Sequence, residues 1–161
     1  MNPQDVKDYV VVPVLEAIKD FIPFTLSAQN LVLGTAAQES GFYYLDQTTP
    51  GPGPAYGIYQ MEQRTYDGHV AWLKQKPEFW DLVQEFRIKG LKGSHLELQG
   101  NLYYATIMTR VHYYRVNVAL PGSSDVSGMA WYWKKFYNTH LGKGTVTEFE
   151  TNYNRLVKDL K

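Results

Sequence analysis

Apolar side chains recur at helical spacing from the first residues of the chain. Asn2 and Pro3 are the residue types expected of an N-cap and a first-turn proline. They precede an apolar stripe with steps of three and four residues, formed by Val6, Val10, Val14, Ala17, Ile18 and Phe21. Pro13 interrupts this stripe and predicts a bend, because proline removes a backbone donor from the helix. A second helix is predicted to have Ser27 as its N-cap and to end at Gly41.

The same periodicity continues through the second half of the chain. Three further helices are predicted, over about residues 77–90, 101–116 and 126–137. Two pairs of residues have the spacing of a capping box: Ser94 with Glu97, and Thr145 with Glu148. The second pair starts a terminal helix, whose apolar residues again lie three or four positions apart: Phe149, Tyr153, Leu156 and Leu160.

One segment does not fit a helix. Residues 46–54 read Asp-Gln-Thr-Thr-Pro-Gly-Pro-Gly-Pro, and alternating Pro and Gly exclude both a helix interior and a central strand. The residues that follow, 55–60, read as a short extended stretch. We therefore predict a mainly α fold of the α+β type, in which a small β-hairpin and loop are inserted into a helical domain and line a cleft. No repeat or linker divides the sequence, so a single domain over residues 1–161 is expected.

Composition removes several classes of function. The 161 residues include no cysteine, which excludes disulfides, thiolate metal sites and cysteine nucleophiles. Lys and Arg number 16, as do Asp and Glu, and this neutral balance argues against a nucleic acid partner held by phosphate charge. The charges are unevenly spread, since residues 1–60 hold six acids and two bases and the later residues hold 10 acids and 14 bases. Any anionic partner is therefore expected to meet the second half.

No segment is predicted to enter a membrane or to bind a cofactor. The longest early apolar run, 10–15, is interrupted by Pro13 and is far shorter than a bilayer span. The N-terminus carries Asp5 and Asp8 where a signal peptide has positive charge, so no signal peptide is expected. The four histidines, at positions 69, 95, 112 and 140, are spread singly without the spacing of metal ligands, so neither a metal nor another cofactor is expected.

Glu39 lies where a helix stabilises a carboxylate least. It continues an apolar stripe with helical spacing, formed by Ala28, Leu31, Val32, Thr35 and Ala36. It also falls in the last turn, where the helix dipole disfavours negative charge. Both features predict a raised pKa, which is what a general acid needs near neutral pH. The other interpretation is that Glu39 turns outward or forms a buried ion pair, and helix position alone supports the two equally.

The residues after this helix favour the interpretation of Glu39 as a general acid. A Gly/Pro loop and a tyrosine-rich stretch follow Gly41, so a lone carboxyl would face a cleft lined by rings, and sugars stack on aromatic rings. Four motifs, in this order, resemble those of the lytic transglycosylases of the lysozyme-like superfamily: Ala37-Gln38-Glu39-Ser40-Gly41-Phe42, Gly57-Ile58-Tyr59-Gln60-Met61, Asn101-Leu102-Tyr103-Tyr104 and Phe136-Tyr137-Asn138. Together they extend over about a hundred residues. Tyr59 departs from the family pattern, which usually has Met there.

The resemblance implies a lysozyme-like catalytic domain that cleaves the bond between N-acetylmuramic acid and N-acetylglucosamine in bacterial peptidoglycan. Glu39 would be the single general acid and base. Ser40 and Tyr137 would hold it by hydrogen bonds, and Gln60 and Met61 would line the sugar subsites. The remaining substrate-binding residues implied by the resemblance are Tyr56, Tyr59, Asn101, Tyr104 and Asn138.

Two alternatives stay open. A hydrolytic muramidase of the same fold would use a second carboxylate to hold water, with Asp46, Glu62 and Asp67 as candidates, although each stands in an ordinary position for an acid. A catalytically inactive peptidoglycan-binding or virion structural module would keep the fold alone. The resemblance to phage enzymes implies a monomeric endolysin that passes from the host cytoplasm to the cell wall, or a virion-associated enzyme.

Overall fold

The computed structural model describes residues 1–46, 54–91, 94–138 and 142–161, and for residues 94 and 95 the backbone alone. It is mostly helical, with one small two-stranded antiparallel sheet, so the predicted fold class is confirmed at this level. In chain order the elements are α1 (Pro3–Val6), a π-helical segment π1 (Lys7–Val11), α2 (Val12–Ala17), α3 (Leu26–Ser40), β1 (Ala55–Tyr56), β2 (Met61–Glu62), α4 (Gln63–Leu73), α5 (Pro77–Glu85), α6 (Ser94–Gly100), α7 (Leu102–Tyr114), α8 (Val126–Trp133), a second π-helical segment π2 (Lys134–Asn138) and α9 (Val146–Leu156). Most of the predicted Gly/Pro loop, residues 47–53, lies outside the described residues.

The N-terminal helix is widened just before Pro13. α1 begins as predicted, with the Asn2 side chain accepting a hydrogen bond from the backbone amide of the second residue after it. The π-helical segment π1 then adds a residue to a turn. The predicted stripe is buried at Val6, Val10, Val14 and Ile18, with Val11 and Leu15 buried beside it. Ala17, also predicted to face the core, is exposed.

α3 is the central helix and carries Glu39 in its last turn. Its N-cap is Thr25, whose side chain accepts from the Ala28 amide, so the predicted cap at Ser27 was two residues late. Gly41 ends the helix in the left-handed conformation, as predicted. Almost every side chain from residue 31 to 37 is buried, because α7, α8 and α9 pack around this helix.

The predicted hairpin is present but short. In the sheet, Ala55 pairs with Glu62 and Tyr56 pairs with Met61. Residues 57–60 form the turn, so the extended stretch predicted over 55–60 consists of one two-residue strand and a turn. The hairpin leads directly into α4 and stands beside the C-terminal end of α3.

The helices predicted over 77–90, 101–116 and 126–137 are present as α5, α7, and α8 with π2, and the largest difference is at α5, which ends five residues before the predicted end. The capping box of Thr145 and Glu148 is confirmed at the start of α9. The other predicted capping box depends on the Ser94 side chain, which lies outside the described part of the chain. Glu97 has a fully buried side chain that accepts hydrogen bonds from Arg87 and Asn101, linking α6 to the segments on either side of it. Across the described ranges, no helix has the length and apolar character needed to cross a membrane.

Candidate active site

A cleft of about 790 Å³ opens between the end of α3, the hairpin, π2 and α9. Five of the predicted site residues besides Glu39 are among those that line it: Ser40, Gln60, Met61, Tyr137 and Asn138. The cleft wall also includes polar and charged groups from α9 and the segment before it, so both halves of the sequence contribute to one depression. This arrangement brings together the motifs around Glu39, Gln60 and Tyr137, whereas no residue of the 101–104 motif lines the cleft.

Glu39 is half-buried in the wall of this cleft. Burial raises the pKa of its carboxyl to about 7, while a hydrogen bond from Trp133 and the charge of Lys134 lower it by smaller amounts. The indole Nε1 of Trp133 donates to Glu39 Oε1 at 2.8 Å. Within the described part of the chain, none of the ion pairs includes Glu39. The structure therefore favours a carboxyl that gains and loses a proton near neutral pH over a permanent ion-pair partner.

Trp133 is the partner of Glu39 that sequence reasoning missed. The two residues are 94 positions apart, and nothing in the local pattern of either helix links them. The indole is fully buried and packs against the Phe149 ring, with 5.4 Å between ring centroids. A buried tryptophan usually needs a hydrogen-bond acceptor for its N–H, so the sequence indicated that Trp133 would have one. It did not indicate which residue would accept.

Replacing Trp133 with Phe is expected to raise the pKa of Glu39 further. The ring packing is retained while the donor that stabilises the carboxylate is lost, which corresponds to about one pH unit for a bond to a charged group. If Glu39 is the general acid, the alkaline limb of the pH–activity profile should move upward by that amount. Trp131→Phe on the exposed side of the same helix is the matched control. An unchanged limb in Trp133→Phe would contradict this role of the indole.

Ser40 and Tyr137 line the cleft but do not hold Glu39 as predicted. The Ser40 hydroxyl donates to backbone carbonyl oxygens, at 2.8 Å to Ile58 and 3.1 Å to the preceding turn of α3. The Tyr137 hydroxyl donates to the carbonyl oxygen of Tyr59 at 2.7 Å. A hydroxyl has only one proton to donate, and both of these protons are directed at backbone carbonyl oxygens, including one in the hairpin turn in each case. These two residues therefore fix the turn against α3 and π2, and Trp133 contacts Glu39 instead.

The structure places three of the predicted sugar contacts in the core rather than in the cleft wall. Tyr59 is almost fully buried and its hydroxyl shares a 2.8 Å hydrogen bond with Thr106. Tyr104 is fully buried, and its hydroxyl lies 2.9 Å from that of Tyr66. Asn101 caps α7, accepting from the Tyr104 amide at 3.1 Å. Apolar neighbours and the need to satisfy helix-end amides place these side chains in the core.

Tyr56 also stands apart from the cleft wall. It is half-buried in β1, where its backbone pairs with Met61, and it is not among the residues that line the cleft. Gln60 does line the cleft, and its side-chain amide donates to the Gly57 carbonyl at 2.7 Å. Asn138 accepts from the Lys134 ammonium at 2.7 Å.

Exposed aromatic residues at the cleft come from a different segment than predicted. Tyr43 and Tyr44 follow the glycine that ends α3, line the cleft and are 75% and 54% exposed, which leaves ring surface available to a ligand. The sequence feature that could have indicated these residues is a pair of tyrosines just after the glycine that ends the helix. The other cleft residues that the sequence did not indicate as site residues include Gln38, His112, Lys143, Asn152 and Arg155.

Two of the three candidate second carboxylates face the same space. Asp46 and Glu62 line the cleft, and Asp67 does not. In the described ranges, no three His, Asp or Glu side chains gather as a metal site would require. The cleft thus combines one perturbed carboxyl, exposed tyrosines and neutral amides.

Comparison with known proteins gave no relative: no protein-family model, curated protein or solved structure matches this chain. The resemblance of the motifs to lytic transglycosylases therefore stays a prediction. The chemistry of the cleft is the basis for the function proposed below.

Proposed function

We propose that this protein cleaves the glycan strands of bacterial peptidoglycan, with Glu39 as a single general acid and base. The observation that carries the proposal is a half-buried carboxyl with a pKa of about 7 in the wall of an open cleft. Such a carboxyl is about half protonated at neutral pH, so it supplies a proton and takes one back under the same conditions. Burying this group destabilises the fold, which a binding module has no need to accept.

The proposed reaction balances without water. Protonated Glu39 donates its proton to the glycosidic oxygen, and the bond from that oxygen to the anomeric carbon of the muramic acid breaks. The resulting carboxylate then removes the proton from the primary hydroxyl of the same muramic acid. That oxygen bonds to the anomeric carbon, which closes an anhydro ring and leaves Glu39 protonated again. Trp133 stabilises the carboxylate formed between the two steps by its 2.8 Å hydrogen bond.

The shape and lining of the cleft are consistent with a chain of sugars. The exposed rings of Tyr43 and Tyr44 offer stacking surfaces for the apolar faces of sugars. Gln60 and Asn138 add amide groups that hydrogen-bond to hydroxyl or acetamido groups. Lys143 and Arg155 border the same cleft and supply positive charge for the carboxylates of peptidoglycan.

Hydrolysis is the second candidate reaction, because Asp46 and Glu62 line the same cleft as Glu39. An inverting hydrolase needs two carboxyl groups about 6.5–9.5 Å apart so that a water fits beside the anomeric carbon. In that reaction the second carboxylate takes a proton from the water, and the product has a reducing end.

Digestion of purified peptidoglycan separates these functions. The released muropeptides are identified by mass spectrometry, with Glu39→Gln as the inactive control. Anhydro ends would support the transglycosylase, and reducing ends would support the hydrolase. Sacculi left unchanged by the wild-type protein would contradict the proposed activity and favour a binding or virion structural module.

A further inference from the structure

Two histidines that are 43 positions apart meet at the edge of the cleft, where His112 is one of the lining residues. His69 of α4 and His112 of α7 are joined by a 3.1 Å contact between His69 Nε2 and His112 Nδ1. The outer end of the pair is Arg115, whose Nη1 lies 2.7 Å from His69 Nδ1. The inner end is the carbonyl oxygen of Phe136, 2.7 Å from His112 Nε2. The four groups form one continuous line from the protein surface to the segment π2.

The groups at the two ends determine where every proton lies. The Phe136 carbonyl only accepts, so His112 Nε2 carries a hydrogen and donates it. In a neutral ring, His112 Nδ1 is then an acceptor, and His69 must donate to it from Nε2. Arg115 only donates, so His69 Nδ1 accepts. Both rings are therefore neutral with their hydrogens on Nε2, and a second proton on either ring would place two donors face to face.

This line of hydrogen bonds ends on Phe136, directly before two residues that line the cleft. The Phe136 carbonyl belongs to π2, whose next two residues are Tyr137 and Asn138. The His112 ring lines the cleft and packs edge-on against the Tyr137 ring, with 4.8 Å between centroids. A π-helical turn is a sparsely used conformation, so a side-chain donor to one of its carbonyls helps to fix it.

We propose that His112, oriented by His69 and Arg115, is a positioning residue that fixes π2 and thereby sets Tyr137 and Asn138 in the cleft wall. The importance of this geometry for catalysis rests on the proposed function, whereas its effect on the order of π2 does not. The line of donors also makes the position of π2 dependent on neutral imidazoles.

The surroundings of the two rings favour their neutral form. Burial lowers the pKa of both histidines, that of His69 to about 3, and the charge of Arg115 acts in the same direction. The other titratable groups that pack on His112 are the phenols of Tyr113 and Tyr137. Within the described residues, no carboxylate forms an ion pair with either ring.

The first experiment compares His112→Phe with His112→Gln. Phe keeps a ring against Tyr137 but has no donor, whereas the Gln amide nitrogen reaches the place of Nε2. Hydrogen–deuterium exchange of the 134–138 amides should accelerate by at least about tenfold in His112→Phe and by less than about threefold in His112→Gln. The exchange rates of the α5 amides should be unchanged in both variants. Equal exchange in the two variants would overturn the proposal.

Activity gives the second readout for the same pair of variants. Cleavage should fall by roughly 10-fold to 100-fold in His112→Phe, mainly through a higher KM, and Gln should recover most of the loss. If the wild-type protein does not cleave peptidoglycan, the proposed function fails, and the exchange measurement still tests the positioning of π2. Exchange that accelerates without any change in KM or kcat would overturn the link to catalysis.

The protonation of the two rings in the wild-type protein provides a further test. Nitrogen-15 NMR of the imidazoles should show both rings neutral with hydrogen on Nε2 at pH 7.5, with signals assigned from His69→Gln and His112→Gln. A ring with hydrogen on Nδ1, or a charged ring at that pH, would overturn the proposed line of donors.

Acid should destabilise the wild-type protein relative to His69→Gln. The unfolded histidine binds a proton near pH 6.5 and the folded one does not, so stability is complete above pH 6.5 and is lost as the pH falls below it. The Gln amide does not titrate. The wild-type unfolding constant divided by that of His69→Gln should rise by up to about tenfold for each pH unit between 6.5 and 5. A ratio independent of pH would show that His69 is not held neutral.

Discussion

Glu39→Gln is expected to lower peptidoglycan cleavage by about 100-fold to 10,000-fold, the usual contribution of a general acid and base. The amide fits the same space and its oxygen still accepts the Trp133 hydrogen bond, but the amide has no acidic proton to transfer to the glycosidic oxygen. Glu85→Gln, which changes an exposed carboxyl on α5, is the matched control and should keep full activity. Activity within tenfold of wild type in Glu39→Gln would show that the catalytic acid is another residue.

The same substitution should stabilise the protein at high pH. The folded pKa of Glu39 is about 7 against an ordinary value of 4.5, so the folded state binds the proton more tightly than the unfolded state does. The wild-type protein therefore loses stability relative to Glu39→Gln as the pH rises from about 4.5 to 7. Above pH 7 the difference levels off at up to about 3 kcal/mol.

Urea unfolding at pH 4, 6 and 8 measures this difference. The Gln variant should match the wild-type protein at pH 4 and exceed it increasingly at pH 6 and 8. A constant difference at all three pH values would mean that the Glu39 pKa is not raised in the folded protein.

Gly57→Ala is expected to have the largest effect on stability. Gly57 has a φ of 75°, and a Cβ built there would lie 2.0 Å from the carbonyl oxygen of Leu98 in α6. The strained backbone and the clash with main chain together should lower the free energy of unfolding by about 3 kcal/mol or more. Gln60 and Met61 belong to the same turn and its following strand, so activity should fall as well.

Gly100→Ala is the matched control for this substitution. Gly100 ends α6, and a Cβ there would have no heavy atom within 4 Å. Its stability should be equal to that of the wild-type protein or slightly higher, because alanine favours helix. Equal unfolding midpoints for the two variants would mean that the hairpin turn does not pack against α6 as closely as the structure indicates.

Local chemistry made much of the fold predictable. The left-handed stop at Gly41, the capping box of Thr145 and Glu148, and the hairpin after the Pro/Gly segment all depend on interactions within a few residues. Errors appeared in the width of the buried face. On the N-terminal helix Val10, Val14 and Ile18 are buried as predicted, but Val11 and Leu15 are buried beside them, because the elements that pack on a helix decide how wide its buried face is.

The parts of the candidate site that depend on neighbouring residues were also predictable. The position of Glu39 on an apolar stripe at a helix end, with its predicted raised pKa, was readable because burial and the helix dipole depend on nearby residues. Tyrosine identity alone, in contrast, did not distinguish Tyr43, which is exposed at the cleft, from Tyr59 and Tyr104, which are core residues. Both environments suit an aromatic ring with a hydroxyl group.

The sequence by itself determined most of the helices, the caps at Asn2 and Thr145, the hairpin and the position of the Glu39 carboxyl in the last turn of α3, since these follow from propensity and periodicity. The tertiary structure alone decided which groups meet: Trp133 with Glu39, 94 positions apart, and His69 with His112, 43 positions apart. Hydrogen bonds between distant residues depend on how helices pack, and packing follows the shape and volume of the whole core. The Glu39 carboxyl was thus visible in the sequence, while the Trp133 donor that lowers its pKa and the line of histidines emerged only from the fold.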